Sequence, residues 1–324
     1  MITQLVNPGT YGTMSLMSFL YYLASGSISL LLLVAVRDRM PSDQGRAFAV
    51  NGELSKGKAR GVGLLFVLAY VVATVLFVPI RWELSILLLL LLACMMTGFL
   101  DDAGSVPWGG LKKGLLDLGI SIGAGFAAWH FYGTTVHFPI LSLFKNHIPS
   151  IDIPAPIYIV IAAALVWGSI NVVNCTDGVD GLCASLSIIA LIGFSLLGHG
   201  ANGKLAVGMI FALLPYLWFN ASPSTMLMGD AGSRALGFLL AMLALRSGCL
   251  LAYIPLCTVF ILDGGLGLLK LALLRSVKIH ILKNTRTPLH DHARKNLKWG
   301  DAQTVFRFCI LQVGILYLYL SLIR

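Results

Sequence analysis

The chain has 324 residues, of which 57% are hydrophobic and only 11% charged, with a mean hydropathy of +0.86 and a net charge of +9. Soluble domains carry about a quarter of their residues as charged groups, so this composition excludes an ordinary water-soluble protein. Apolar runs of about 17–25 residues match the thickness of a bilayer. Because strand alternation is absent, the expectation is an all-α integral membrane protein, a bundle of transmembrane helices.

Ten spans are predicted, at residues 14–36, 61–80, 83–100, 113–132, 155–171, 181–198, 203–220, 232–246, 249–274 and 302–323. Residues 1–13 contain no Lys or Arg, so the basic start of a cleavable signal is missing and the first span is expected to be retained. If loops 37–60, 100–112, 171–181, 220–232 and 275–301 share one side, eighteen basic residues fall on that side or on the helix ends touching it. Five (Arg81, Lys145, Lys204, Arg246 and Arg324) fall on the other. The positive-inside rule then makes the first side cytoplasmic and puts both termini on the periplasmic or extracellular side. Topology accounts for the basic excess, and no nucleic acid is needed as a partner. Segment 133–154, with alternating β-formers and prolines, predicts a small external hairpin. No repeat is visible, so 1–324 reads as one transmembrane domain. The six cysteines lie in or beside apolar stretches without metal-ligand spacing and read as packing residues.

Acids in or beside membrane spans are costly to desolvate and mark sites. Of the fourteen carboxylates, only Glu83 and Asp152 belong clearly to the outer face. In MTGFLDDAGS, Asp101 and Asp102 follow the third span, and two adjacent carboxylates at a helix end repel unless a cation or proton sits between them. Hard oxygen ligands there suit Mg²⁺, although an isolated Asp-Asp also fits a charged helix stop. In NVVNCTDGVDGL, Asn171, Asn174 and Asp177 are spaced by three along one helical face, and Asp177-Gly178 and Asp180-Gly181 break the helix. Amides and acids gathered in this way can hold a base, a ribose or a metal hydrate. In MLMGDAGSRALGF, Asp230 stands in a flexible loop at the start of the eighth span, a phosphate–metal corner or a simple N-cap. The loop 275–301 carries His290 and His292 among Arg286, Arg294, Lys295 and Lys298. His-x-His invites zinc, but no further ligands accompany it, and the surrounding cations suit a diphosphate or, alternatively, lipid headgroups. These four motifs fall on one predicted face, which points to a divalent cation, a phosphorylated substrate and a second substrate arriving from the bilayer.

The motifs resemble those of the polyprenyl-phosphate N-acetylhexosamine-1-phosphate transferases, and within them the phospho-N-acetylmuramoyl-pentapeptide transferase branch, over nearly the whole chain. That family's Asp-Asp matches Asp101 and Asp102. Its Asn-x-x-Asn-x-Thr-Asp-Gly-x-Asp-Gly matches Asn171, Asn174, Thr176, Asp177, Gly178, Asp180 and Gly181. Its Met-Gly-Asp-x-Gly-Ser matches Met228, Gly229, Asp230, Gly232 and Ser233, with Asn220 ten residues before the acid, and its Thr-Pro-x-His matches Thr287, Pro288 and His290. Three departures stand out. Asp291 replaces the middle of three histidines, KARGVG occupies the usual Thr-Pro-Thr-Met-Gly-Gly stretch, and Leu227 stands where a phenylalanine facing uracil is common.

The resemblance implies a ten-helix enzyme of the bacterial inner membrane, built as a homodimer, with its site facing the cytoplasm. It implies transfer of phospho-N-acetylmuramoyl-pentapeptide from UDP to undecaprenyl phosphate, giving lipid I and UMP with Mg²⁺. Asp101, Asp102, Asp230 and His290 would be catalytic, the three acids serving the metal. Asn171, Asn174, Asp177, Asp180, Asn220, Leu227 and Gly229 would bind nucleotide or sugar, and Lys112, Lys113, His290 and His292 the diphosphate. A sister enzyme transferring GlcNAc-1-phosphate or another UDP-sugar stays open as an alternative. A secondary transporter is the more distant one, since it would bury its acids near the midplane between repeated halves.

Overall fold

The computed structural model describes residues 15–45, 52–104, 106, 108–144, 148–197 and 201–323. The first residue of the 14–36 span, the uncharged stretch 1–13, Arg46, Ser105, Lys145 and Arg324 lie outside the described residues.

Helix occupies every one of the ten predicted stretches. In chain order these are α1 (Leu16–Val36), α2 (Gly63–Phe77), α3 (Trp82–Asp102), α4 (Gly110–Tyr132), α5 (Ala155–Thr176), α6 (Leu182–Leu197), α7 (Ala201–Asn220) and α8 (Gly229–Arg246). A bent segment follows: α9 (Tyr253–Leu256), α10 (Thr258–Phe260), a π turn (Ile261–Gly265) and α11 (Leu266–Ser276). Then come the short α12 (Leu289–Lys295) and α13 (Asp301–Ile323). The predicted run 249–274 is therefore broken, with a bend of 75° between Leu250–Leu256 and Thr258–Ser276. By length and composition five of the described helices can cross a membrane, six if the bent pair counts as one span. Large apolar side chains such as Trp82, Leu31, Trp218 and Phe306 point outward, as expected for a surface solvated by lipid rather than water. At 133–154, β1 (Thr135–His137) pairs antiparallel with β2 (Ser150–Asp152), in register Thr135 to Asp152.

The bundle is organised around α8. Every residue from Ala231 to Leu245 is buried, and α2, α3, α4, α5 and α6 all pack against this helix. A helix apolar on all sides needs such a sheath. It runs antiparallel to α3: Arg246 Nε at its end pairs with Glu83 Oε1 near the start of α3 at 2.7 Å, while its first turn meets the last turn of α3. Gly98 on α3 permits this meeting, because a side chain there would collide with the Asp230 carbonyl.

Gly98→Ala is thus expected to force α3 from α8 and lower thermal stability by about 1–3 kcal/mol, as overpacking does. Gly123→Ala, which would only touch a Leu90 methyl at 3.5 Å, should leave it unchanged. Thermal unfolding of the detergent-purified proteins tests the contrast, and equal Tm values would contradict the packing described.

Candidate active site

The meeting of α3, α4 and α8 gathers charge. Asp101 and Asp102 are the last two residues of α3, inside its final turn rather than beyond it, and Asp230 lies in the first turn of α8. The Lys113 ammonium, near the start of α4, stands between two of them, 2.5 Å from Asp101 Oδ2 and 3.0 Å from Asp230 Oδ2. The other Asp101 oxygen accepts from the Trp108 amide at 2.6 Å. Asp102 is held separately: its Oδ1 accepts from Arg60 Nε at 2.8 Å and its Oδ2 from the Ala231 amide at 3.0 Å. Arg60 Nη1 in turn reaches Asp43 Oδ1 at 3.0 Å. Gly229 adopts φ +65°, a left-handed conformation, and any side chain there would strike the Asp102 carboxylate. Its place in the motif therefore follows from backbone geometry and close approach together.

Burial pushes the Asp230 carboxyl up, but Lys113, then Asn174 and Arg234, outweigh it and hold the group below the usual carboxylate range. Burial disfavours the Arg60 cation, and Asp102 beside it more than restores it, leaving the guanidinium firmly charged. Asn174 donates to Ser233 Oγ at 2.9 Å on this side of the site. Among the described residues, no three His, Cys, Asp or Glu side chains group closely enough to hold a metal ion by themselves.

Beside this cluster lies a cavity of about 340 Å³. Lys58, Asp177, Gly178, Asp180, Asn220, Leu227 and Arg294 are among the residues that line it. Asn220, at the end of α7, shapes one wall by accepting from the Gly181 amide and donating to the Met226 carbonyl, both at 2.9 Å. Asp180 Oδ2 accepts from the Ser224 amide at 2.9 Å and lies 3.8 Å from Lys58 Nζ. The chain around Ala59 runs beside 226–228, with the Leu227 amide donating to the Ala59 carbonyl at 2.8 Å. Lys58 and Arg60, two residues apart, consequently connect the cavity to the acid cluster.

His290 closes another side. Both its backbone amide, at 2.7 Å, and its Nδ1, at 2.8 Å, meet the carboxylate of Asp263, which is fully buried in the π turn. With Asp263 accepting at Nδ1, Nε2 faces Gly178, where a side chain would collide with it. Arg294 Nη1 donates to the Gly178 carbonyl at 3.2 Å.

The structure thus brings together Asp101, Asp102, Asp230, Gly229, Asn174 and Lys113 in one group, and Asp177, Asp180, Asn220 and Leu227 around the cavity, with His290 beside them. Lys112 is turned away, its ammonium 3.5 Å above the Trp108 ring. Asn171 bonds back to the Trp167 carbonyl, and His292 Nδ1 accepts from the Arg286 amide at 3.3 Å. Sequence reasoning missed Asp43, Arg60, Asp117, Arg234 and Asp263 as members of the site region. Three of these, Asp117, Arg234 and Asp263, are buried charges within predicted apolar spans, and that was the signal available.

Residues 84–248 match the family model described as Glycosyl transferase family 4. The chain is 38% identical over 293 residues to the phospho-N-acetylmuramoyl-pentapeptide-transferase of Treponema pallidum, spanning 84% of this chain and 80% of that protein. Proteins of the same name from Symbiobacterium thermophilum and Staphylococcus carnosus are each 29% identical, covering 76% and 86% of this chain and 76% and 90% of their own lengths. The chain belongs to glycosyl transferase family 4, among the phospho-N-acetylmuramoyl-pentapeptide-transferases.

Proposed function

We propose that this membrane-embedded bacterial enzyme transfers phospho-N-acetylmuramoyl-pentapeptide from UDP to undecaprenyl phosphate, forming lipid I and releasing UMP. The observation that carries the reading is the cation Lys113 Nζ, shared by Asp101 and Asp230 beside a cavity lined by Lys58, Arg294 and Asn220 together with the acids Asp177, Asp180 and Asp301. In the reaction an oxygen of the lipid phosphate attacks the sugar-bearing phosphorus. The bond from that phosphorus to the UMP oxygen breaks, and the electron pair leaves with UMP. The nucleophile is already anionic, so the protein's task is to bring two anions together in line and offset their repulsion.

The donor set fits a divalent cation. Around the acid cluster, Asp43, Asp101, Asp102, Asp117 and Asp230 face three fixed cations, Arg60, Lys113 and Arg234. Five carboxyl groups thus stand against three cationic side chains. Mg²⁺ takes one or two carboxylates and completes its shell with water and phosphate oxygens, so two protein ligands are sufficient. Asp101 and Asp230 would hold it, and when bound it would supply charge neutralisation at the diphosphate. Lys113, which joins the same two acids, would add positive charge beside the diphosphate. Arg60 places Asp102 behind the Asp230 loop. Asp263 holds the His290 ring so that Nε2 faces the Gly178 loop. Asp177, Asp180, Asn220 and Leu227 form the walls against which the nucleotide and sugar would rest. The loops carrying these groups face the cytoplasm in a ten-span topology in the inner membrane, a reading supported by the basic excess on their side.

Three outcomes are expected. Detergent-purified protein given undecaprenyl phosphate should release UMP from UDP-MurNAc-pentapeptide in the presence of Mg²⁺ and not from UDP-GlcNAc. Turnover of UDP-GlcNAc alone would keep the chemistry and overturn the substrate. Asp230→Asn should lower kcat by about 100-fold or more, as loss of a preorganised charge does, and a wild-type rate of UMP release would refute the acid's role. Asp263→Asn should also lower kcat by about 100-fold through misplacement of His290, with KM changed less. An unchanged kcat in single-turnover assays would show that the dyad is not used.

A further inference from the structure

One turn beneath the shared cation, a second ion pair is buried. Asp117 follows Lys113 by four residues on α4, and Arg234 follows Asp230 by four residues on α8. Arg234 Nη2 donates to Asp117 Oδ1, and both side chains are 2% exposed. The four groups alternate in sign: Lys113 above Asp117 on α4, Asp230 above Arg234 on α8, each facing an opposite charge on the other helix. The lower pair is poorly served as a purely structural element. Arg234 Nε and Nη1 are buried without a hydrogen-bond partner among the described residues. Buried pairs of this kind are often no more stable than apolar side chains of similar volume, so packing alone gives no reason for charge here.

We infer that the Asp117–Arg234 pair is a positioning device for the cation site above it. Resting on the reading that Asp101 and Asp230 take a divalent cation, the inference assigns these two residues no contact with substrate. Arg234, one turn behind Asp230, attracts its carboxylate through charge alone. Asp117 keeps the Arg234 charge from being left alone in the bundle and holds α4 in register, so that Lys113 Nζ sits between Asp101 and Asp230 instead of being drawn elsewhere. Removing both charges leaves the helices packed but loosens the carboxylate that the metal needs. Groups that orient metal ligands from behind change affinity or activity by roughly 10–100-fold when they are removed.

The test uses the full-length enzyme in detergent. In the Asp117→Leu, Arg234→Met double variant, Tm should stay at or above wild type. Mn²⁺ affinity, read by EPR of the free ion during titration, should weaken by roughly tenfold or more, and the Mg²⁺ concentration for half-maximal UMP release should rise in parallel. A double variant that is folded and binds Mn²⁺ as wild type does overturns the inference. Should it fail to purify, Arg234→Lys and Arg234→Gln decide: Lys keeps the charge and should bind Mn²⁺ near the wild-type affinity, whereas Gln should bind more weakly. Equal affinities for the two would refute the assignment. Wild-type enzyme that neither binds Mn²⁺ nor needs Mg²⁺ would instead refute the underlying metal reading, and the inference would fall with it.

Discussion

The sharing of one ammonium group by two carboxylates from different helices is the interaction on which the rest of the structure turns. Asp101 ends α3, Asp230 begins α8, and Lys113 near the start of α4 satisfies both. Without a cation between them, two carboxylates this close and this buried would repel and drive the helix ends apart. The same demand makes the site chemically useful. In the proposed function the same two acids would hold a divalent cation beside the phosphate oxygens of the substrate.

The bundle serves this arrangement by making α8 its buried axis. Because Ala231–Leu245 is sheathed on all sides, the first turn of α8 is held rigidly against α3, and Gly98 and Gly229 remove the side chains that would keep the acids apart. At the opposite end Glu83 and Arg246 join the same two helices. Charge is thus confined to the ends of this helix pair, apart from the Asp117–Arg234 pair one turn in. The bent 250–276 segment adds the other element of the site: its π turn delivers Asp263 into the interior, where it orients His290 against Gly178 in the cavity wall. π turns are inserted irregularities that commonly accompany function.

Much of this was legible in the chain itself. Ten apolar stretches were visible because burial in lipid demands length and hydrophobicity, and the acids stood out because each is expensive beside hydrocarbon. The hairpin showed in the alternation at 133–154. Other features were not legible, for physical reasons. Lys112 and Lys113 point about 100° apart on the helix, but their shared chemistry does not show which of them turns inward. One stacks on Trp108 while the other enters the acid cluster. The 75° break was hidden within an unbroken apolar run. Arg60 was counted only as a topological charge, because its partners Asp43 and Asp102 lie 17 and 42 residues away in the chain. Arg234 was likewise grouped with the loop cations and is in fact buried against Asp117, 117 residues distant.

The most direct test of the central claim is a crystal structure of the enzyme with Mn²⁺ and a UDP-linked substrate, using anomalous scattering to locate the ion. The account predicts a peak between the carboxylates of Asp101 and Asp230, with the Lys113 ammonium moved off their shared position toward the diphosphate. A saturated complex in which Lys113 still bridges the two acids, with the ion bound elsewhere, would contradict it.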